Sequence, residues 1–236
     1  MKQQFTMDSR IQTSDKYYNE CYGDRNYYWP VSAIDNFLDL YTVDNLTNGG
    51  FKGYDNVMSN NFIKLAEEYI IHDKKIAVIG SQLPWIECLF YNLGNDVTTI
   101  RTKPALNSEL FKTMKFEEFE EDIQKYDIII SYASAEHAGL GRYGDAVDPQ
   151  GDIREMRACH KNLKPTGKLL WIGSVGVDHL IWNAKRIYGN IRLTEIFKGF
   201  NEIKWLDQSR DICVNTDPGS HKLQLVVLEA TSEYNV

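Results

Sequence analysis

The chain has 236 residues, of which 43% are hydrophobic and 25% charged, and a formal net charge of −7. A chain of this length buries roughly three quarters of its unfolded surface, so it needs neither disulfides nor a structural metal to fold. The composition excludes disordered, collagen-like and coiled-coil chains, and the mildly acidic balance gives no global attraction to nucleic acid or an anionic membrane.

The opening residues, MKQQFTMDSRIQTSDKYY, have no apolar core and are not expected to be a secretory signal. They run into an aromatic stretch, Tyr17, Tyr18, Tyr22, Tyr27, Tyr28 and Trp29, that fits neither a helical nor a strand period. Val31 to Tyr41 spaces Ile34, Phe37, Leu38 and Tyr41 as a helix, with Ser32 as its N-cap. Asn45-Leu46-Thr47 is a glycosylation sequon, expected to be accidental in a chain without secretion. Asn48-Gly49-Gly50 is a turn, and Asn60 to Ile71 a second helix.

From Lys74 the pattern changes. Lys75 to Ile79 is a buried strand, Trp85 to Leu93 a helix and Val97 to Ile100 a strand. Phe116 to Ile123 is an acidic helix with a solvated face, Tyr126 to Ser131 a strand, and Asp152 to Leu163 a helix stopped by Lys164-Pro165-Thr166-Gly167. Lys168 to Gly173 is a strand, Ile187 to Phe200 contains a short helix, and Ile203 to Leu206 and Leu223 to Glu229 are the last strands. Strands alternating with helices predict a three-layer, Rossmann-like α/β fold with a mostly parallel sheet, closed by an antiparallel final strand. The expected division is an N-terminal arm with helices over 1–72 and the Rossmann-like domain over 73–236. No apolar run approaches the ~20 residues of a membrane helix. Cys21, Cys88, Cys159 and Cys213 form no CxxC pair, so neither a disulfide framework nor a zinc site is expected. The expected compartment is the cytoplasm.

Ligands of such sheets sit at the carboxyl ends of the strands, so the loops after Ile79, Ile100, Ile130 and Ile172 are expected to build the site. The first loop offers Gly80, Ser81, Trp85 and Glu87 for a cofactor, or is simply a tight strand-to-helix turn. In the second, Arg101 stands where an adenosine site usually places an acid to accept from the ribose hydroxyls. A guanidinium cannot accept. Either the ribose is held differently, the ligand carries an extra anion, or Arg101 points to solvent. The third loop gathers Ser134, Glu136, His137, Arg142, Tyr143 and Asp145 among Gly139, Gly141 and Gly144. Glu136 and His137, with Asp145, are candidates for acid/base work, and Arg142 for clamping an anion. Their alternative is a glycine-rich turn whose charges cap helices, Asp152 for instance. His179, Asn183, Arg186 and Tyr188 form a second polar cluster suited to a substrate with hydroxyls and an acid group, or to capping and packing. His72, His160 and His221 sit singly, and no HExxH, GxSxG or P-loop is present.

Gly80-Ser81 with Pro84-Trp85 and Glu87, the string Ser134 to Asp145, Asp148-Pro149 with Gly151-Asp152, and Asn183 with Arg186 to Gly189 resemble the domain-of-unknown-function family 268. That family is described from nematode sequences and met in bacterial surface-polysaccharide gene clusters. The resemblance covers about Lys75 to Phe200. It implies a fold similar to the class I S-adenosylmethionine-dependent methyltransferases, where a Glu-His pair often follows the fourth strand and lines the cleft. It implies S-adenosylmethionine as cofactor, held near Gly80, Ser81, Trp85, Glu87, Arg101 and Ser134.

The expected function is methyl transfer to a sugar, nucleotide-sugar or surface-polysaccharide intermediate. His137 is then the base and Glu136 its orienter, and Arg142, Tyr143, His179, Asn183, Arg186 and Tyr188 meet the substrate. The alternatives are a non-methylating sugar- or anion-binding enzyme on the same fold, and a non-catalytic subunit of a glycan-assembly pathway. The expected partner is a small molecule or glycan, with neither nucleic acid nor a membrane span. The aromatic arm lids the cleft, docks on the domain, or joins a homo-oligomer.

Overall fold

The computed structural model describes residues 2–16, 29–47, 53, 55–101, 110–214, 217 and 219–232. In chain order the elements are α1 (Lys2–Phe5), β1 (Gln12–Asp15), α2 (Val31–Leu40), α3 (Val43–Thr47), α4 (Asn56–Glu68), β2 (Lys75–Ile79), α5 (Trp85–Asn92), β3 (Asp96–Arg101) and β4 (Lys112–Lys115). There follow α6 (Phe116–Glu121), β5 (Tyr126–Tyr132), α7 (Gly151–Asn162), β6 (Leu163–Gly176), β7 (His179–Trp182), β8 (Lys185–Ile187), α8 (Asn190–Ile196), β9 (Phe200–Trp205) and β10 (His221–Ala230). They group into two compact units, residues 25–130 and residues 1–24 with 131–236. No helix among the described residues is long and apolar enough to cross a membrane.

In the unit of residues 25–130 the strand order is β4-β3-β2-β5. β2 is parallel to β3, Ile76 opposite Val97, and β3 is parallel to β4, Thr99 opposite Thr113. Parallel strands are covered on both faces, which is why Ile76 to Ile79 is an unbroken apolar run and is buried throughout. The order reverses at β2, with β3 and β4 to one side and β5 to the other. Ligands of doubly wound sheets sit beyond the carboxyl ends of the strands at such a reversal. Helix α5 buries Trp85, Ile86, Leu89 and Phe90. The Trp85 ring lies 6.1 Å from Tyr41 and 5.9 Å from Phe62, all three fully or almost fully buried. Burial on this scale contributes roughly 1.5–3 kcal/mol per large side chain. Helix α2 begins at Val31 directly after Pro30, so Ser32 lies inside the helix and not at its cap. Helix α4 begins at Asn56, ahead of the expected Asn60, because the Asp55 carboxylate accepts from the Met58 N–H at 3.0 Å.

In the other unit the strand order is β6-β10-β9. β10 is antiparallel to both neighbours, Leu225 opposite Ile172 and Val226 opposite Trp205, as the closing strand was expected to be. β6 does not start after the Lys164–Gly167 stretch but runs through it. Its pairing with β10 begins only at Lys168, so the N–H that Pro165 lacks is not needed. A second sheet, β1-β7-β8, is one the sequence reading did not foresee. β1 is parallel to β7, Ser14 opposite Ile181, and β7 is antiparallel to β8, Leu180 opposite Arg186. Phe5, Ile11, Leu140 and Leu180 form a small core here, with Met7 and Trp182 against it and the Phe5 and Trp182 rings 5.0 Å apart, edge to face.

Candidate active site

The loop after β5 is shaped by backbone that only glycine tolerates. A Cβ on Gly139, at φ +74°, would lie 2.1 Å from the Asp148 carbonyl oxygen, and one on Gly151 would lie 2.7 Å from the Ala138 carbonyl. The Asp145 carboxylate accepts from the Gly141 and Tyr143 N–H groups, each at 3.3 Å. Asp145 is thus engaged in holding its own turn.

Behind that loop lies a closed ionic cluster. Asp152 is fully buried and takes Arg192 bidentately, through Nη2 and, at 2.9 Å, Nε. Arg186 Nε stands 3.5 Å from the same carboxylate, and the buried Tyr188 hydroxyl donates to it at 3.3 Å. Burial alone would raise the Asp152 pKa, but the two guanidiniums outweigh it and hold the carboxyl below the usual range. Arg186 also donates to the Ala138 carbonyl at 2.6 Å, which ties the loop to β8. Arg186 and Tyr188 therefore face Asp152 inside the unit. Asp178 caps α8, accepting from Gly189, Ile191 and Arg192 N–H groups at 2.8–3.0 Å.

A second cluster is left partly open. The Glu136 carboxylate is buried and accepts from the Ser174 N–H at 2.6 Å and the Ser174 hydroxyl at 3.0 Å. Burial raises its pKa, against the pull of Lys185, the Ser174 hydrogen bonds and Arg142. His137 lies beside it, Nε2 3.6 Å from Oε1. The Nδ1 atom is 2.7 Å from the Ala184 carbonyl, which can only accept, so Nδ1 carries a proton and Nε2 is the nitrogen turned to Glu136. Arg142 donates to that same carbonyl at 3.1 Å and lies 5.1 Å from the Tyr143 ring, whose edge-on contact with His137 is 5.5 Å between centroids. Glu136, His137, Arg142 and Tyr143 are thus brought together as the sequence suggested.

Two members of this cluster escaped the sequence reading. Lys185 Nζ lies 3.9 Å from Glu136, donates to the Ser174 hydroxyl at 3.2 Å, and donates to His221 Nε2 at 2.7 Å. The Nδ1–H of His221 donates to the Gly219 carbonyl at 3.3 Å. An ammonium can only donate, so His221 Nε2 is the acceptor, and burial and that ammonium lower the His221 pKa. The usable signal was topological: an antiparallel last strand starts where its neighbour ends, and His221 pairs with Gly176. Of the remaining expected residues, His179 is buried with Nε2 2.8 Å from the Ser14 hydroxyl, and Asn183 is buried in the turn between β7 and β8. Glu155 was also missed. It is buried, accepts from Ser131 at 2.6 Å and Ser134 at 2.8 Å, and burial pushes its pKa up to about 7.

In the unit of residues 25–130, Gly80 follows β2 exposed and at φ +89°, which lets backbone lie directly against a ligand. Trp85 and Glu87 are buried behind it. Burial pushes the Glu87 pKa up to about 7. The Ser81 hydroxyl bonds both the Leu83 carbonyl and, at 2.9 Å, Glu87. Glu87 also accepts from the Thr99 hydroxyl at 3.2 Å, and both hydroxyls pull its pKa back down against the burial. Arg101 does not point to solvent. It ends β3 almost wholly buried, with its guanidinium 4.7 Å from the centre of the Trp29 ring.

The strand orders, with β10 antiparallel between its neighbours, define the class I methyltransferase fold. The 1,6-didemethyltoxoflavin-N1-methyltransferase of Burkholderia thailandensis, solved with 1,6-didemethyltoxoflavin and S-adenosylhomocysteine, is similar at a TM-score of 0.54 and 14% identity, over 86% of this chain and 85% of that one. A putative sarcosine dimethylglycine methyltransferase from Galdieria sulphuraria is similar at 0.51 and 10% identity, over 84% and 98%. At such identities the likeness is one of fold. The chain belongs to the family described as "Caenorhabditis protein of unknown function, DUF268", whose model matches residues 73–231. No curated protein matches it.

Proposed function

We propose that the chain is an S-adenosylmethionine-dependent methyltransferase acting on a hydroxyl of a sugar, nucleotide-sugar or surface-polysaccharide intermediate in the cytoplasm. The observation that carries this reading is the Glu136–His137 pair, in which the imidazole holds Nδ1 on the Ala184 carbonyl and turns Nε2 toward Glu136, an acid and a base side by side for moving the acceptor's proton. Glu136, fixed by Ser174 and Lys185, orients the ring and offsets the charge it gains. Arg142 and Tyr143 offer a guanidinium and a phenol to an acidic or hydroxylated acceptor. The sugar acceptor is supported by the family resemblance alone. When bound, S-adenosylmethionine supplies an electrophilic methyl carbon. The exposed turn at Gly80 fits such a ligand, with Ser81 and Arg101 as the neighbouring residues that would hold it and Trp85 and Glu87 supporting the turn from behind. In this reading residues 73–236 are the methyltransferase-type domain and residues 1–72 an N-terminal arm and helices packing on it, with β1 completing the sheet of β7 and β8; the start of the family segment at residue 73 supports that boundary.

Calorimetric titration of the purified protein with S-adenosylmethionine and S-adenosylhomocysteine tests the reading. A saturable micromolar site is expected, followed by methyl release to an acceptor from a sugar panel. Absence of both heat and thermal stabilisation with either ligand would sink it. Arg101, in place of a ribose-accepting acid, favours a second reading in that event: a sugar- or anion-binding enzyme without the cofactor, using Glu136 and His137 for acid/base work.

A further inference from the structure

The walls of a nucleoside site on this fold are the turn after the first strand of the domain and the end of the second. Here these are Gly80 to Pro84 and Arg101, and one side chain touches both. Trp29, just ahead of α2, donates its indole N–H to the Gln82 carbonyl at 3.0 Å and lies over the Arg101 guanidinium at 4.7 Å. Its ring meets Phe111 edge to face at 6.5 Å, and the side chain is only 2% exposed.

Adenine is also a flat bicyclic ring. It too stacks on a guanidinium, and its exocyclic amine donates to a carbonyl as the indole N–H does. We propose that Trp29 stands in for the adenine of the nucleoside ligand, so that its indole closes the site until the ligand displaces it and takes over Arg101 and the Gln82 carbonyl. This inference depends on the nucleoside-binding reading above. It also gives Arg101 a role that an acid could not fill, as the stacking platform that indole and adenine exchange. A site closed in nine molecules of ten binds about tenfold more weakly than its open form.

The test uses the whole 236-residue chain, its Trp29→Ala and Trp29→Phe variants, and S-adenosylhomocysteine as probe. Calorimetry is expected to show about tenfold tighter binding to Trp29→Ala and a smaller gain for Trp29→Phe, which keeps a ring over Arg101 but loses the N–H. In wild type, the indole N–H signal that vanishes from the 15N spectrum in Trp29→Phe should shift as ligand is added. Binding that is unchanged or weaker in both variants, or an indole signal that stays put at saturation, overturns the gate and leaves the methyltransferase reading standing. Absence of binding by all three proteins overturns the nucleoside-site reading and the gate with it. Should Trp29→Ala fail to fold, Trp29→Phe and the indole signal decide.

Discussion

Asp152 and Glu136 are both buried carboxylates, both in the unit that holds the loop after β5, and both beside two cations. Their pKa values are moved in opposite directions. Asp152 receives Arg192 bidentately, with Arg186 and Tyr188 closing the remaining space, and its pKa falls. Glu136 receives mostly neutral donors from Ser174, with Lys185 at 3.9 Å, and its pKa rises. The difference lies in geometry and not in the number of charges. Full, close pairing locks a carboxylate into structure. Looser pairing, with an imidazole nitrogen 3.6 Å away, leaves a carboxyl whose burial is not fully offset.

Breaking the closed cluster should have the largest effect. Asp152→Asn leaves two buried guanidiniums without their counter-charge, and a loss of about 3–5 kcal/mol is expected in chemical denaturation; a loss below about 1 kcal/mol would mean the cluster is not what holds the loop. Disturbing the open cluster should do the reverse. His137→Ala is expected to change stability by no more than about 1 kcal/mol while lowering turnover roughly 10²–10⁴-fold. Turnover that survives would remove His137 as the base. The two clusters should also differ in pH response. Asp152, with its lowered pKa, contributes stability that is present above its unfolded pKa and lost as pH falls through the folded one. Glu155, raised from an ordinary 4.5 to about 7, is protonated only in the folded state between those values, so its contribution is present on the acid side and lost as pH climbs through that window. Glu155→Gln should therefore flatten the fall of Tm between pH 5 and pH 8, raising it by about 2–4 °C at pH 8. An unaltered slope would count against a protonated Glu155.

Most of the large sheet was legible because Ile76 to Ile79 and Ile128 to Ile130 can only be interior strands. β4 was not, since Lys-Thr-Met-Lys is four residues at a sheet edge and half of it is charged. β1 was hidden because its pairing with β7 joins residues about 165 apart, as the Ser14–His179 contact does, and no local period reports that; β7 and β8 are four and three residues long, too short for a period to show. At the site, adjacency in sequence made Glu136 and His137 readable. Arg186 and Tyr188 looked like substrate contacts because Asp152, on a helix more than thirty positions earlier, is what they face. Glu155 did leave a trace: Asp152, Glu155, Met156 and Cys159 share one buried stripe of α7, and an acid on an apolar stripe needs a partner.

The strand formed by Gln12 to Asp15 separates descent from folding. The inherited segment begins at residue 73, yet the sheet that carries Lys185 and Arg186 is completed by residues some sixty positions ahead of it. Cut back to residues 73–231, the chain would leave His179 and the β7 edge bare, with Trp182 missing its Phe5 cover. Family boundaries drawn on sequence alone would here mark out a piece that cannot finish its own architecture.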